Sequence, residues 1–258
     1  MKPTQIFVVV PVFNEERYLE AFAESLLPVV KSLPTIKQIL LVNDGSRDGT
    51  LKLARTLAHR HHNISVETSA INGGKGVAMR RGLETARKQG ADAVIFMDGD
   101  CQHDPVFLPQ FVAALGRQPI VFGYRLLSSD TPWVRRTGNR VASFLMRGLF
   151  GIKRKDLLCG FMAWRGELYD TLDWSSDGYG VEAELAAIVG RKHLPFAEVN
   201  ISTIYLDRVK GVTMKHAFGI LLHVPRWYAK DFSPKHLLDP SRHLLKELKS
   251  RILRAFDS

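Results

Sequence analysis

Ala93-Val94-Ile95-Phe96-Met97-Asp98-Gly99-Asp100 is the stretch on which the fold turns: five apolar residues without polar alternation, then an acidic turn. An unbroken apolar run of this length predicts a strand buried on both faces, as in a parallel sheet. The same grammar recurs upstream. Ile6 to Val10 is a β-branched run closed by Pro11, and Asn14-Glu15-Glu16 follows. Gln38 to Val42 leads into Asn43-Asp44-Gly45-Ser46, and Ile64 to Thr68 leads into Asn72-Gly73-Gly74-Lys75-Gly76. Between these runs, apolar residues at helical spacing predict helices over Tyr18 to Leu33, Leu51 to Ala58 and Val77 to Lys88, with Asp48 or Ser46 as N-cap of the second.

Strand, loop and helix four times over means an α/β fold with a largely parallel sheet. Ligands of such sheets bind outside the carboxyl ends of the strands. Every polar cluster named above falls at such an end. Beyond Pro119 the rhythm loosens. Strands are predicted over Ile120 to Tyr124, Leu157 to Trp164 and Ala197 to Tyr205, and helices over Trp133 to Phe150 and Val181 to Arg191.

Composition narrows the class. The chain has 258 residues, a formal net charge of +10 and two cysteines, Cys101 and Cys159. An ordinary apolar fraction argues for a packed core and against disorder. Two cysteines exclude a disulfide framework or a Cys-rich zinc site and suit a reducing compartment. The uncharged run His216 to Pro225 is about half the ~20 residues that a helix needs to span a bilayer. With no secretory pattern at the start, the expected location is the cytoplasm.

The charge points to phosphate, nucleic acid or an anionic membrane. From Leu206 to Ser258 there are 11 Lys and Arg against 5 Asp and Glu, a net of +6. Within that segment Leu244, Leu245, Leu248, Ile252 and Phe256 share a helical face flanked by Lys246, Lys249, Arg251 and Arg254. Such a helix suits an anionic membrane surface; docking on protein is the competing reading.

Two carboxylates one residue apart, Asp98 and Asp100, can share a hard divalent cation, with Gln102, His103 and Asp104 near enough to join. A solvated turn is the plainer explanation, but the three other polar loops at strand ends favour metal or nucleotide binding. The Gly73 to Gly76 loop could cradle an anion with backbone N–H groups. It matches neither a Walker loop nor a G-x-G-x-x-G fingerprint. Arg125, Arg135, Arg136 and Arg208 suit bidentate phosphate contacts. No G-x-S-x-G elbow or H-E-x-x-H pair is present. His59, His61 and His62 fit a helix C-terminus better than a metal site.

In order, Val9 to Glu16, Val42 to Ser46 with Asp48-Gly49-Thr50, Asn72 to Gly76, and Met97 to Asp100 with Gln102-His103-Asp104-Pro105 resemble the family 2 glycosyltransferases. Gly123-Tyr124-Arg125, Arg135-Arg136 with Asn139, Gly160-Phe161, Gly178-Tyr179 with Glu182, and Asp207-Arg208 with Gly211 extend the resemblance toward the polyprenyl-phosphate sugar synthases. It covers roughly residues 5 to 215. It implies a GT-A fold, a Rossmann-like three-layer sandwich with a mainly parallel central sheet. Residues 1–215 would form the catalytic domain and 216–258 a basic amphipathic tail.

The resemblance also implies roles. Pro11, Phe13, Glu15 and Asp44 would line the nucleoside pocket, Lys75 would touch the donor, and Asp98 would sit near ribose and metal. Asp100 and Gln102 would complete a Mg2+ or Mn2+ site with the donor diphosphate. Arg125 and Arg208 would act at the reaction centre, and Arg135, Arg136 and Asn139 on the acceptor phosphate. The expected reaction is inverting transfer of a hexose from a GDP- or UDP-sugar to a polyprenyl phosphate at the inner membrane face, where the enzyme is peripherally bound. With a glycan hydroxyl as acceptor, Glu182 or Asp104 would serve as base. Nucleic acid is the least expected partner, because Asp98, Asp100 and Asp104 would repel it.

Overall fold

The computed structural model describes residues 2–125, 143, 146–178 and 180–202. Seven strands form one sheet: β1 (Ile6–Val12), β2 (Ile36–Asp44), β3 (Ile64–Ser69), β4 (Ala93–Phe96), β5 (Ile120–Arg125), β6 (Met162–Arg165) and β7 (Phe196–Ile201). Their spatial order is β3-β2-β1-β4-β6-β5-β7. The first four are mutually parallel, and β7 runs parallel to β5. Only β6 is reversed, pairing antiparallel with β4 and β5.

The sheet is buried on both faces, and residue parity assigns each side chain to a face. Val9, Leu40, Val42, Val94 and Phe96 pack under α3 (Lys75–Lys88) and a helix over Val181–Arg191, here α5. Val8, Val10, Ile39, Leu41 and Ile95 pack under α1 (Leu19–Lys31), α2 (Thr50–Arg60) and α4 (Leu108–Leu115). Two helical layers around one sheet confirm the three-layer α/β architecture. In α5, residues Val181 to Gly190 are all buried, Glu182 and Glu184 included.

The last predicted helix, α5, has the expected bounds, and the strand runs lie where expected. Two local expectations change. The strand expected from Leu157 begins only at Met162, because residues 156–160 form a loop whose Asp156 binds Arg125. Neither Ser46 nor Asp48 is the N-cap of α2; Gly49 holds that position. Ser46 Oγ instead accepts the Asn14 N–H, and Asp48 accepts from Thr50 at the start of the helix. Of the helix expected over Trp133 to Phe150, the described residues, 143 and 146–150, are helical; the remainder, the strand end beyond residue 202 and the basic tail lie outside the described residues.

Candidate active site at the carboxyl rim

Because β1 to β4 are parallel, the segments after them open on one rim. The reversed strand β6 brings its leading residues, Gly160 and Phe161, to the same rim. Chain order reverses between β1 and β4, the place where open α/β sheets form a crevice.

The loops after β1 and β2 are joined by reciprocal hydrogen bonds. Arg47 N–H donates to Asn14 Oδ1, Glu15 N–H to Thr50 Oγ1, and Gly49 N–H to Glu16 Oε2. At the end of β2, Asp44 is buried and accepts from Gly73 N–H at 2.9 Å and Gly74 N–H at 2.7 Å. Gly45 passes so close to the next loop that an added Cβ would meet the Asn72 nitrogen at 2.6 Å. Phe13 and Ile71, exposed at the ends of β1 and β3, flank this region as apolar surfaces.

The glycine loop therefore departs from expectation. Its amides do not form an open anion cradle. Gly73 and Gly74 bind the Asp44 carboxylate, and the Asp177 carbonyl accepts from Gly76 at 2.6 Å and from Val77 at 3.3 Å. The anion held by this nest belongs to the protein itself.

Lys75, the first residue of α3, also turns inward. Its ammonium lies 2.5 Å from Asp98 Oδ1 and 2.7 Å from Glu182 Oε1, with its side chain 15% exposed. Burial opposes its charge, but Asp98 and Glu182 outweigh that and hold Lys75 well above the ordinary lysine range. Burial likewise opposes ionisation of Asp98, and Lys75 foremost among its neighbours overcomes it. Lys75 and Asp98 pack directly against Gly160, leaving no room for a side chain: an added Cβ would lie 2.5 Å from Lys75 Nζ and 2.9 Å from Asp98 Oδ2. Glu182 Oε2 is buried and has no hydrogen-bond partner among the described residues.

His103 accepts the Asp98 N–H through Nδ1 at 3.1 Å. Burial brings its pKa down to about 4, so the ring is neutral. Its 3.8 Å approach to Asp98 Oδ2 is accordingly no ion pair, since a lone pair and not a proton faces Asp98. Asp100 Oδ1 accepts the Gln102 N–H at 3.1 Å, and Cys101 between them takes a positive φ of 61°. That conformation is uncommon for a non-glycine residue and marks a constrained loop.

Among the described residues, no group of three His, Cys, Asp or Glu side chains forms a ready metal cage. Asp98 and Asp100 with the Gln102 amide oxygen still make a hard-oxygen set, and the Asp98 side chain, 30% exposed, meets Lys75 through Oδ1 alone. This suits a cation whose remaining ligands come from a diphosphate and water, as Mg2+ is usually held.

Arg125 is less open than expected. Its Nε and Nη2 form a forked pair with Asp156 at 2.6 and 3.1 Å. Two groups the sequence did not single out shape the rim. Asp156 anchors Arg125, and Glu184 accepts from Ser175 and Ser176, fixing the segment that reaches α3. Neither stands in a local motif; only their burial identifies them. Arg135, Arg136, Asn139 and Arg208 lie outside the described residues.

The profile of Glycosyl transferase family 2 matches residues 7–172. The dodecaprenyl-phosphate galacturonate synthase of Rhizobium johnstonii is 30% identical over 64% of this chain, and the chain spans about half of that protein, 48%. The undecaprenyl-phosphate mannosyltransferase of Micrococcus luteus is 26% identical over 86% of this chain and 93% of its own length. Among solved structures, the glucosyl-3-phosphoglycerate synthase of Mycobacterium tuberculosis in complex with Mn2+, uridine diphosphate and phosphoglyceric acid superposes with a TM-score of 0.67. It is 22% identical and covers 88% of this chain and 78% of its own, a likeness in fold.

Proposed function

This chain belongs to glycosyl transferase family 2, and from that premise we propose that it transfers a hexose, with inversion, from a nucleotide-diphosphate sugar to a polyprenyl phosphate. The observation that carries this reading is the Lys75–Glu182 pair. A glycan hydroxyl would need a base, and the best-placed carboxylate on the rim is tied to an ammonium at 2.7 Å. A phosphate acceptor is already ionised and needs none. Both relatives described above are named for polyprenyl-phosphate substrates.

Pro11, Phe13, Glu15 and Asp44 form the nucleoside end of the crevice, where Phe13 and Ile71 supply apolar surfaces for a base. Asp98, Asp100 and Gln102 would hold Mg2+ or Mn2+, which stabilises the charge that builds on the departing diphosphate. Arg125, held in place by Asp156, faces that charge, and Arg135, Arg136, Asn139 and Arg208 serve the phosphates. No helix among the described residues is long and apolar enough to cross a membrane. The amphipathic segment from Leu244 to Phe256 supports peripheral attachment to an anionic lipid surface.

A thermal-shift screen of GDP, UDP and their hexose conjugates with Mn2+ or Mg2+ tests the donor assignment. Selective stabilisation by one nucleotide supports it, since a ligand that binds only the folded state raises stability. No shift with any nucleotide at millimolar concentration overturns it.

A further inference from the structure

We infer that His103 is the positioning residue of the acidic turn after β4: its Nδ1 closes the loop that carries Asp98, Asp100 and Gln102, and so sets the affinity of that loop for a divalent cation. This rests on the metal-dependent reading above and deepens it. The turn alternates. Asp98, Asp100 and Gln102 are partly exposed and each carries an oxygen able to ligate a hard cation. The residues between and after them anchor the backbone. Gly99 is pressed on β1, where an added Cβ would meet Val12 Cγ1 at 2.8 Å. Cys101 Sγ donates to the Tyr18 carbonyl at 3.4 Å, at the start of α1. His103, only 4% exposed, accepts the Asp98 N–H at 3.1 Å and joins the two ends of the turn.

A backbone amide can only donate, so Nδ1 presents a lone pair to it and the ring carries its proton on Nε2. In that tautomer neither ring nitrogen is free to ligate a cation, and His103 stands outside the oxygen set. The ring is itself held from behind. It lies 5.4 Å from the ring of Phe161, which stacks on Phe111 of α4 at 4.0 Å. All three side chains are buried. One hydrogen bond therefore ties the first oxygen-bearing residue of the turn to a fixed aromatic column. A loop closed in this way is ordered before the cation arrives, whereas an open loop would have to be ordered as the cation binds. Partners that orient the ligands of a metal in this manner influence its affinity without touching it.

Two substitutions separate the hydrogen bond from the ring. His103→Phe keeps an aromatic ring against Phe161 and removes the acceptor. His103→Asn removes the ring and places an amide oxygen where Nδ1 stood. Calorimetric titration of Mn2+ into the full chain and both variants, with UDP or GDP at one fixed concentration, reads affinity for the ion without turnover. Thermal unfolding without Mn2+ reads folding. His103→Phe is expected to weaken Mn2+ binding by about 10-fold or more. His103→Asn is expected to retain the affinity, even where the lost ring lowers its Tm. Unchanged Mn2+ affinity in a folded His103→Phe overturns the assignment. Equal loss in both variants also overturns it, because the ring, as packing or as ligand, would then be what matters. Should His103→Phe fail to fold, His103→Asn decides: retained affinity supports the assignment and a 10-fold loss overturns it. If the wild-type chain binds no Mn2+ with either nucleotide, the metal reading itself fails, and this assignment with it.

Discussion

Lys75 Nζ lies 2.5 Å from Asp98 Oδ1, so the first residue of α3 is tied directly to the acidic turn that follows β4. The same nitrogen reaches Glu182 on α5. Three elements distant in sequence are thus joined by one buried cation at the point where they form the crevice.

Removing that cation leaves two carboxylates facing each other with no counter-charge. Taking one partner from a buried ionic cluster costs about 3 kcal/mol. Lys75→Met is expected to lower Tm by roughly 10 °C for a chain of this size. Adding Glu182→Gln removes one of the stranded charges and restores part of the loss. Thermal unfolding of the three proteins checks this; a Lys75→Met Tm within about 2 °C of wild type contradicts it.

Glu184 gives a pH signature. Burial pushes its carboxyl upward, but hydrogen bonds from Ser176 and Ser175 hold it below its ordinary value of 4.5. A depressed carboxyl contributes stability that is present above the unfolded value and is lost as pH falls through the folded one. Glu184→Gln is expected to cost about 2 kcal/mol at neutral pH. That gap closes as the pH falls below 4.5. Urea unfolding of both proteins at neutral and acidic pH measures it, and a pH-independent gap refutes the assignment.

The two cysteines differ in reactivity. Burial, with Asp156 nearby, pushes the Cys159 thiol up to about 12. Cys101 is only partly buried. Iodoacetamide at mildly alkaline pH labels Cys101 in the folded protein and leaves Cys159 unmodified until denaturant is added. Peptide mass spectrometry reads the outcome. Equal labelling of both in the folded state contradicts the buried placement of Cys159.

The sheet was legible because burial on both faces writes itself as unbroken runs such as Ile6 to Val10 and Ala93 to Met97. The rim was legible because parallel strands put each following loop on one side. The partners of the charged residues were not. Arg125 and Asp156 are 31 residues apart, and Lys75 meets Glu182 from another helix, so no local spacing signals either pair. The glycine loop misled for a related reason. Its backbone does form a nest, but the anion in it comes from the end of a neighbouring strand, Asp44.

We propose that the acidic turn after β4 serves sugar transfer to a lipid phosphate. Its most direct test is transfer from a labelled nucleotide sugar to a short-chain polyprenyl phosphate, comparing wild type with a folded Asp100→Ala variant. A sugar–phosphate lipid is expected only with Mg2+ or Mn2+, with a loss of about 10²-fold or more in the variant. Undiminished transfer by Asp100→Ala, or no lipid product from wild type with any hexose donor, would contradict it.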